Sequence, residues 1–282
     1  MKFKDFLNLL RVKQWYKNSI IFLSIIFSFN LFKIELFFFT FLGFIALCLI
    51  SSSYYIINDI KDLEKDKHHP EKKNRPLPSG KIKKSTALFI SLILFNTASL
   101  ISYFLSQNFL ISLLLLFILS QAYTFFLKKV VFLDIIVISL NFVIRAISGT
   151  FIINEPVSYW VILCTFFLSM FLVSSKRSLE VSTDMKDYRS NFKKSDKEVL
   201  DFLSMISITS VFIFFSIYSI TNDKPLLLLS LPIALYIVTN FLSKKSTNQE
   251  IIRNPEKFIL DVKTLTALSI WIIIIIAAFY LT

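Results

Sequence analysis

A chain of 282 residues that is 55% hydrophobic, with 32 Phe and only 3 Gly, carries more apolar surface than a water-soluble domain of that length can bury. Its 31 Lys and Arg against 19 Asp and Glu give a formal net charge of +12. These figures exclude a soluble globular protein and point to an all-α polytopic membrane protein whose charge reports topology, with no call for a nucleic-acid partner.

In residues 1–17, Phe3, Phe6, Leu7 and Leu10 recur at helical spacing, the pattern of a short helix lying in the membrane interface. The apolar stretch is too short and interrupted for a cleavable signal. Lys13, Gln14, Trp15, Lys17 and Asn18 open the first span, and Trp15 and the lysines read as interfacial anchors. Apolar runs predict nine transmembrane helices, near 18–33, 36–57, 86–106, 109–127, 132–153, 157–173, 200–220, 225–243 and 260–281. Ser106-Gln107-Asn108 reads as a tight turn between the third and fourth. Cys48 and Cys164 fall within spans and read as small buried hydrophobes.

Charge placement checks the count. With the amino terminus cytoplasmic and sides alternating, 28 of the 31 Lys and Arg fall on cytoplasmic segments. Lys33 and Lys224 are external and Arg145 lies within a span. The positive-inside rule therefore supports nine crossings with the carboxyl terminus outside.

The second span ends in Asn58-Asp59-Ile60-Lys61-Asp62-Leu63-Glu64-Lys65-Asp66. On a helix of ~3.6 residues per turn, Asp59, Asp62 and Asp66 stand at i, i+3 and i+7 on one stripe, with Asn58 on its edge. Crowded carboxylates repel one another unless a cation sits among them. Their hard oxygen donors suit Mg²⁺, which usually completes its shell with substrate phosphates. Downstream, Pro70, Pro76, Pro78 and Gly80 rule out a continuous helix, so Lys72, Lys73 and Arg75 sit on a semi-rigid loop. That loop reads as a phosphate lid folding back over the stripe; the alternative is a solvated positive-inside connector. His68 and His69 have no Cys or further His nearby to complete a soft-metal site.

The other long cytoplasmic loop, 174–198, places Lys176, Glu180, Asp184 and Asp187 on one helical stripe, beside Arg177. It reads either as a solvated helix laced with i,i+4 pairs or as a second phosphate-binding face. Loop 243–263 reads as a solvated connector without chemistry. Tyr123 and Lys128 close the fourth span near the cytoplasm. Arg145, deep in the fifth, requires either an ion pair with another helix or a polar cavity. Asp134, eleven residues earlier, is too far along the helix to supply that pair directly.

Asn58-Asp59-x-x-Asp62-x-x-x-Asp66, ending a second span in a nine-helix chain, resembles the first aspartate-rich motif of the UbiA prenyltransferase superfamily. Within it, several stretches are similar to the decaprenyl-phosphate phosphoribosyltransferase branch. They are Arg11-Val12-Lys13-Gln14-Trp15-Tyr16-Lys17-Asn18, His69-Pro70 with Lys73-x-Arg75-Pro76 and Ser79-Gly80, Lys176-Arg177-x-x-Glu180, and Tyr123 to Gly149 with Lys128, Asp134, Arg145 and Ala146. Beyond Glu180 the likeness thins, and Asp184-x-x-Asp187 resembles a shortened second aspartate motif of ordinary prenyltransferases.

The resemblance implies a single UbiA-like transmembrane domain over residues 1–282, with catalytic cytoplasmic loops 58–84 and 174–198. It implies a bacterial or archaeal cell membrane as the location and Mg²⁺ as the cofactor. The implied partners are phosphoribosyl diphosphate and a polyprenyl phosphate. Asp59, Asp62 and Asp66 would hold the metal and diphosphate, and Glu180 would join them as a catalytic residue. Lys13, Lys17, Asn58, Lys73, Arg75, Tyr123, Lys128, Arg145, Lys176 and Arg177 would contact substrate. The expected reaction is transfer of the 5-phosphoribosyl group to the lipid phosphate, releasing diphosphate. The competing enzyme reading is UbiA-type prenyl transfer from a polyprenyl diphosphate to an aromatic acceptor. A transporter for a phosphorylated solute fits less well, because the charged stripes cluster on one face and only Arg145 lies deep.

Overall fold

The computed structural model describes residues 3–70, 72–182, 192–247, 258 and 261–280, and every element among them is helical. The chain divides into two units, Met1–Val161 and Ile162–Thr282.

In the first unit, α1 (Phe3–Leu9) is followed by a 3₁₀ segment, Val12–Phe22, that runs directly into α2 (Leu23–Phe27). Then come α3 (Ile34–Lys61), α4 (Leu63–Lys67), a 3₁₀ turn at Lys72–Asn74, α5 (Lys84–Leu105), α6 (Gln107–Phe125), a second turn at Leu127–Lys129, and α7 (Leu133–Ile153). α8 (Tyr159–Ser182) contains the boundary between units. The second unit continues with α9 (Lys197–Thr221), α10 (Leu231–Thr247) and α11 (Val262–Tyr280).

Eight helical segments among the described residues are long and apolar enough to cross a membrane: α3, α5, α6, α7, α8, Lys194–Thr221, Pro225–Lys244 and α11. Ser106 alone, in an extended conformation, separates α5 from α6, so the tight turn expected there is present.

The first expected span, 18–33, is not among the eight. Its helix begins earlier, at Val12, and ends at Phe27, with Phe29 at positive φ just beyond. A 3₁₀ helix has about three residues per turn, so side chains at i and i+3 eclipse. Val12, Trp15, Asn18, Ile21 and Ser24 consequently form one line, and that line meets the rest of the unit. Val12 and Trp15 pack in a cluster with Leu9, Leu10, Ile56, Leu77 and Ile82. Asn18 donates to the Cys48 Sγ at 3.4 Å, and Ile21 is fully buried against Ala46, Leu47 and Ile50. Ser24 rests on Gly149, where an added Cβ would stand 2.2 Å from Ser24 Oγ and 2.6 Å from the Ile21 carbonyl oxygen. Gly149 thus permits backbone-close packing of this segment on α7, as small residues do in membrane bundles. Trp15 is an interior contact as well as an interfacial residue: its indole N–H donates to Ser52 Oγ at 3.1 Å.

Hydroxyls link neighbouring helices elsewhere. Ser53 Oγ donates to the Ser91 carbonyl at 2.9 Å and Ser91 Oγ returns a bond to the Ser53 carbonyl at 3.0 Å, joining α3 to α5. In the second unit, Ser175 and Ser204 hydroxyls lie 2.6 Å apart, and Ser178 Oγ donates to Asp201 Oδ1 at 2.6 Å, joining α8 to α9. Asp261, beside the start of α11, accepts the Thr264 backbone N–H at 3.3 Å and pairs with Lys244 at 2.6 Å.

Candidate active site

α3 remains helical through Asn58 and Asp59 and ends at Lys61. Asp62 closes it and opens α4, with its backbone N–H still bonded to the Asn58 carbonyl at 2.9 Å. The acidic stripe is therefore a helix with a break at Asp62, and the break divides the three carboxylates between partners. Arg75 Nη1 donates to Asp59 Oδ1 at 2.9 Å and to Asp66 Oδ2 at 3.0 Å. Asp59 also pairs with Arg11, and Asp66 with Lys72 Nζ at 3.5 Å. Asp62 accepts Lys128 Nζ on both oxygens at 2.8 Å, and the same ammonium lies 3.5 Å from Asn58 Oδ1.

Asp59 and Asp66 are buried, at 4% and 2% exposure, so ionised carboxylates there require compensating charge. The chain supplies it from separate segments: Arg11 before the 3₁₀ helix, Lys72 and Arg75 from the loop, and Lys128 from the turn after α6. Burial, first, and the neighbouring Arg11 charge hold the Arg75 guanidinium below its ordinary value, while Asp59 and Asp66 oppose that shift. An arginine so placed stays protonated at physiological pH.

The loop that carries Lys72 and Arg75 is anchored by its apolar members. Leu77 and Ile82 are buried against Leu9, Leu10 and Ile56. Gly80 supplies the positive φ of its turn, at 74°. Lys81 Nζ reaches Asp5 on α1 at 3.3 Å. The loop therefore folds back over the acidic stripe, with α1 docked against its back. Between α1 and the loop opens a groove of about 280 Å³ lined by Arg11, Lys13, Gln14, Asn74 and Arg75. Its named walls hold three cations and no carboxylate.

The remaining expected residues distribute as follows. Lys17 Nζ bonds to Gln14 Oε1 at 3.2 Å, near the groove. Lys73 is exposed on the same turn as Lys72, and Tyr123 is half-buried on the last turns of α6. Arg145 lies deep in α7 and donates to the Tyr54 hydroxyl on α3. Lys176, Arg177 and Glu180 belong to α8, where Arg177 Nη1 pairs with Glu180 Oε2 at 2.7 Å. Asp184 and Asp187 lie outside the described residues.

Arg11 and Tyr54 join this constellation without having been singled out as site residues, and Lys72 joins it from the basic loop on which it was expected. Arg11 gave little warning, because its approach to Asp59 depends on a left-handed backbone at φ 52° and ψ 43° that nothing local to the sequence demands.

Among the described residues no three acidic, His or Cys side chains converge as a ready-made metal cage. The donor set nonetheless fits a hard divalent cation. Asp59 and Asp66 both direct an oxygen at one cationic nitrogen, so the geometry already holds positive charge between two carboxylates. The other available donors, Asp62 and the Asn58 amide oxygen, are hard oxygens as well.

Residues 20–254 match the model of the UbiA prenyltransferase family. The chain belongs to this family. It is 30% identical over 185 residues to a decaprenyl-phosphate phosphoribosyltransferase of Mycolicibacterium smegmatis, covering 64% of this chain and 58% of that protein. The enzyme of the same name from Mycobacterium tuberculosis is 28% identical over 185 residues, covering 64% of this chain and 61% of that one. The matches thus span about three-fifths of these UbiA relatives' own length.

The fold agrees with solved structures. A digeranylgeranylglyceryl phosphate synthase superposes with a TM-score of 0.67 at 20% identity, covering 98% of this chain and 96% of that one. A UbiA homologue from Archaeoglobus fulgidus bound to DMAPP and Mg²⁺ superposes with a TM-score of 0.61 at 16% identity, covering 99% and 100%. At these identities the structures establish the UbiA-like fold.

Proposed function

We propose that this UbiA-family protein transfers the 5-phosphoribosyl group of phosphoribosyl diphosphate to a polyprenyl phosphate and releases diphosphate. The observation that carries the reading is the set of three carboxylates closing α3, each paired with a cation from another segment, in a chain similar to decaprenyl-phosphate phosphoribosyltransferases. A phosphate oxygen of the acceptor attacks the anomeric carbon, and the bond from that carbon to the diphosphate oxygen breaks. The acceptor is already anionic, so no general base is required. Arg11, Lys72, Arg75 and Lys128 stabilise the charge that grows on the departing diphosphate. Asp59, Asp62 and Asp66, supported by Asn58, would hold Mg²⁺, which neutralises diphosphate charge when bound. Lys13, Lys17, Lys73, Tyr123, Lys176, Arg177 and Glu180 enter as substrate contacts on the family resemblance.

In this reading the site opens to the cytoplasm and the chain crosses the membrane nine times, with the carboxyl terminus outside. The ninth crossing is Val12–Phe27. Eleven residues at about 2.0 Å and five at about 1.5 Å give roughly 30 Å, the thickness of the hydrocarbon layer. Reporter fusions at residue 75 and at the carboxyl terminus test this: the first reports cytoplasm and the second the opposite side. A cytoplasmic carboxyl terminus removes one crossing.

The activity test uses purified protein, Mg²⁺, phosphoribosyl diphosphate and polyprenyl phosphates of several lengths, with mass spectrometry of the lipid. The expected product is the lipid phosphate enlarged by one phosphoribosyl group. A parallel arm supplies a prenyl diphosphate and an aromatic acceptor; product in that arm alone refutes the proposal.

A further inference from the structure

Arg145 poses a charge problem that the aspartate cluster does not solve. It is 5% exposed, in the middle of α7, among Phe142, Val143 and Ala146. Its guanidinium donates to the Tyr54 hydroxyl and, at 3.4 Å, to the Asn141 carbonyl, and it lies over the Phe142 ring at 5.1 Å. Among the described residues no carboxylate pairs with it, and its Nε has no hydrogen-bond partner. A cation held at that depth without a counter-charge is expensive, which makes such a residue a functional-site candidate by default.

The surroundings are polar in an ordered way. Ser51, Tyr54, Tyr55, Asn58 and Asp62 fall at i, i+3, i+4, i+7 and i+11, one face of α3. The Tyr54 hydroxyl donates to Ser51 Oγ at 3.1 Å and Ser51 Oγ donates to Asn18 Oδ1 at 3.3 Å. The polar face therefore runs unbroken from the aspartates into the span, and Arg145 meets it at Tyr54. On α6, Ser120 donates to Asn141 at 3.1 Å, one turn before Arg145. Gln121, the next residue, has both its amide nitrogen and its amide oxygen buried without a partner. Arg145 Nε and the Gln121 amide are both buried and unsatisfied, on adjacent helices along this polar region, and buried polar groups without partners call for an explanation such as a ligand that carries the missing charge and hydrogen bonds.

We infer that Arg145, oriented by Tyr54, binds a phosphomonoester dianion at the inner end of this polar face. The inference rests on the phosphoribosyl-transfer reading, because that reaction brings two phosphomonoesters to the site: the 5-phosphate of the donor and the phosphate of the lipid acceptor. Tyr54 lies five residues before Asp59, about 7.5 Å along the helix axis. A pentose held by its diphosphate at the aspartates spans such a distance with its far phosphate. A lipid phosphate would reach the same cation from the bilayer side. The guanidinium suits either, since both present the oxygens it binds in pairs.

The test uses the full chain in detergent, with calorimetric binding and thermal unfolding of wild type, Arg145→Met, Arg145→Lys and Tyr54→Phe. The probes are ribose 5-phosphate, a polyprenyl phosphate, the matching polyprenol without phosphate, and inorganic diphosphate with Mg²⁺. Arg145→Met is expected to unfold at or above the wild-type temperature, because it removes a buried charge that no carboxylate among the described residues compensates. It should lose about tenfold or more in affinity for at least one phosphomonoester, with diphosphate affinity unchanged. Arg145→Lys should retain part of that affinity. Tyr54→Phe, which keeps the charge, should weaken the same ligand several-fold.

The ligand whose affinity falls identifies the source: ribose 5-phosphate for the donor, polyprenyl phosphate but not polyprenol for the acceptor. A lower unfolding temperature in Arg145→Met with phosphomonoester affinity retained makes Arg145 a structural clamp and overturns the inference. Should Arg145→Met fail to fold, unchanged affinities in Tyr54→Phe and Arg145→Lys overturn it equally. Absence of Mg²⁺-diphosphate binding by the wild type is a different result, and it tells against the proposed reaction itself.

Discussion

Replacing Arg75 by Ala is expected to change two affinities in opposite directions. The guanidinium nitrogen bridges Asp59 at 2.9 Å and Asp66 at 3.0 Å, whose side chains are only 6% and 3% exposed. A divalent cation that binds alone must displace it, and the freed guanidinium gains nothing in return. Each charge-assisted contact to a buried carboxylate is worth about 1.5–3 kcal/mol. Arg75 itself is 31% exposed, and Arg11 and Lys72 remain on the same carboxylates, which reduces the combined effect to about 2 kcal/mol. Arg75→Ala should therefore bind Mn²⁺, as a spectroscopic substitute for Mg²⁺, roughly thirtyfold more tightly in the absence of diphosphate. With inorganic diphosphate present, the same variant lacks a phosphate ligand and should bind the metal–diphosphate pair about tenfold more weakly. Electron paramagnetic resonance titration of Mn²⁺, with and without diphosphate, measures both. Metal affinity that is unchanged or weaker in Arg75→Ala without diphosphate would show that Arg75 does not occupy the metal's position.

Asp59→Ala, Asp62→Ala and Asp66→Ala should each abolish or severely reduce turnover while the protein still folds; full activity of Asp62→Ala, or activity undiminished in EDTA, refutes the metal assignment. Gly149→Ala places a Cβ against the Ile21 carbonyl and Ser24, and should cost about 1–3 kcal/mol, read as a lower unfolding temperature in detergent. The Lys244 contact holds the Asp261 carboxyl below its ordinary 3.8. Its contribution to the α10–α11 junction is thus complete above that value and lost as pH falls through the depressed one. Hydrogen-exchange protection at the start of α11, taken relative to the intrinsic rate at each pH, should fall on acidification in the wild type and stay unchanged in Asp261→Asn.

Helices that are long and uniformly apolar were legible in the sequence because length against bilayer thickness decides them. α3, α5, α6 and α7 lie where their hydropathy placed them, and the one-residue break at Ser106 follows from the polar run that contains it. The first span was misplaced for a definite reason. Residues 12–24 turn every third position inward, with Asn18, Ile21 and Ser24 buried and Val12 and Trp15 partly buried, and a search for a 3.6-residue stripe passes over a period of three. At the site, spacing brought out the acidic residues because they are close in sequence. It did not reveal the division at Asp62, which depends on Lys128, sixty-six residues away. Arg11 was equally hidden, because forty-eight residues separate it from Asp59 and its backbone conformation is set by tertiary packing.

The balance of charge in this cluster carries a consequence for selectivity. Three carboxylates face four cations, and each carboxylate already has a partner. A free metal ion competes with those cations, and a free diphosphate competes with those carboxylates, so either alone must break ion pairs that it only half replaces. A metal–diphosphate complex brings both signs together. On the proposed reading the carboxylates would hold the metal and the arginines and lysines the phosphates, which would leave no buried charge without a partner. Selection of the complex over its components would then follow, in the proposed function, from charge exchange in a buried site. The same reasoning sets Arg145 apart, since among the described residues no carboxylate pairs with its guanidinium, and an anion that reached it would supply the missing counter-charge.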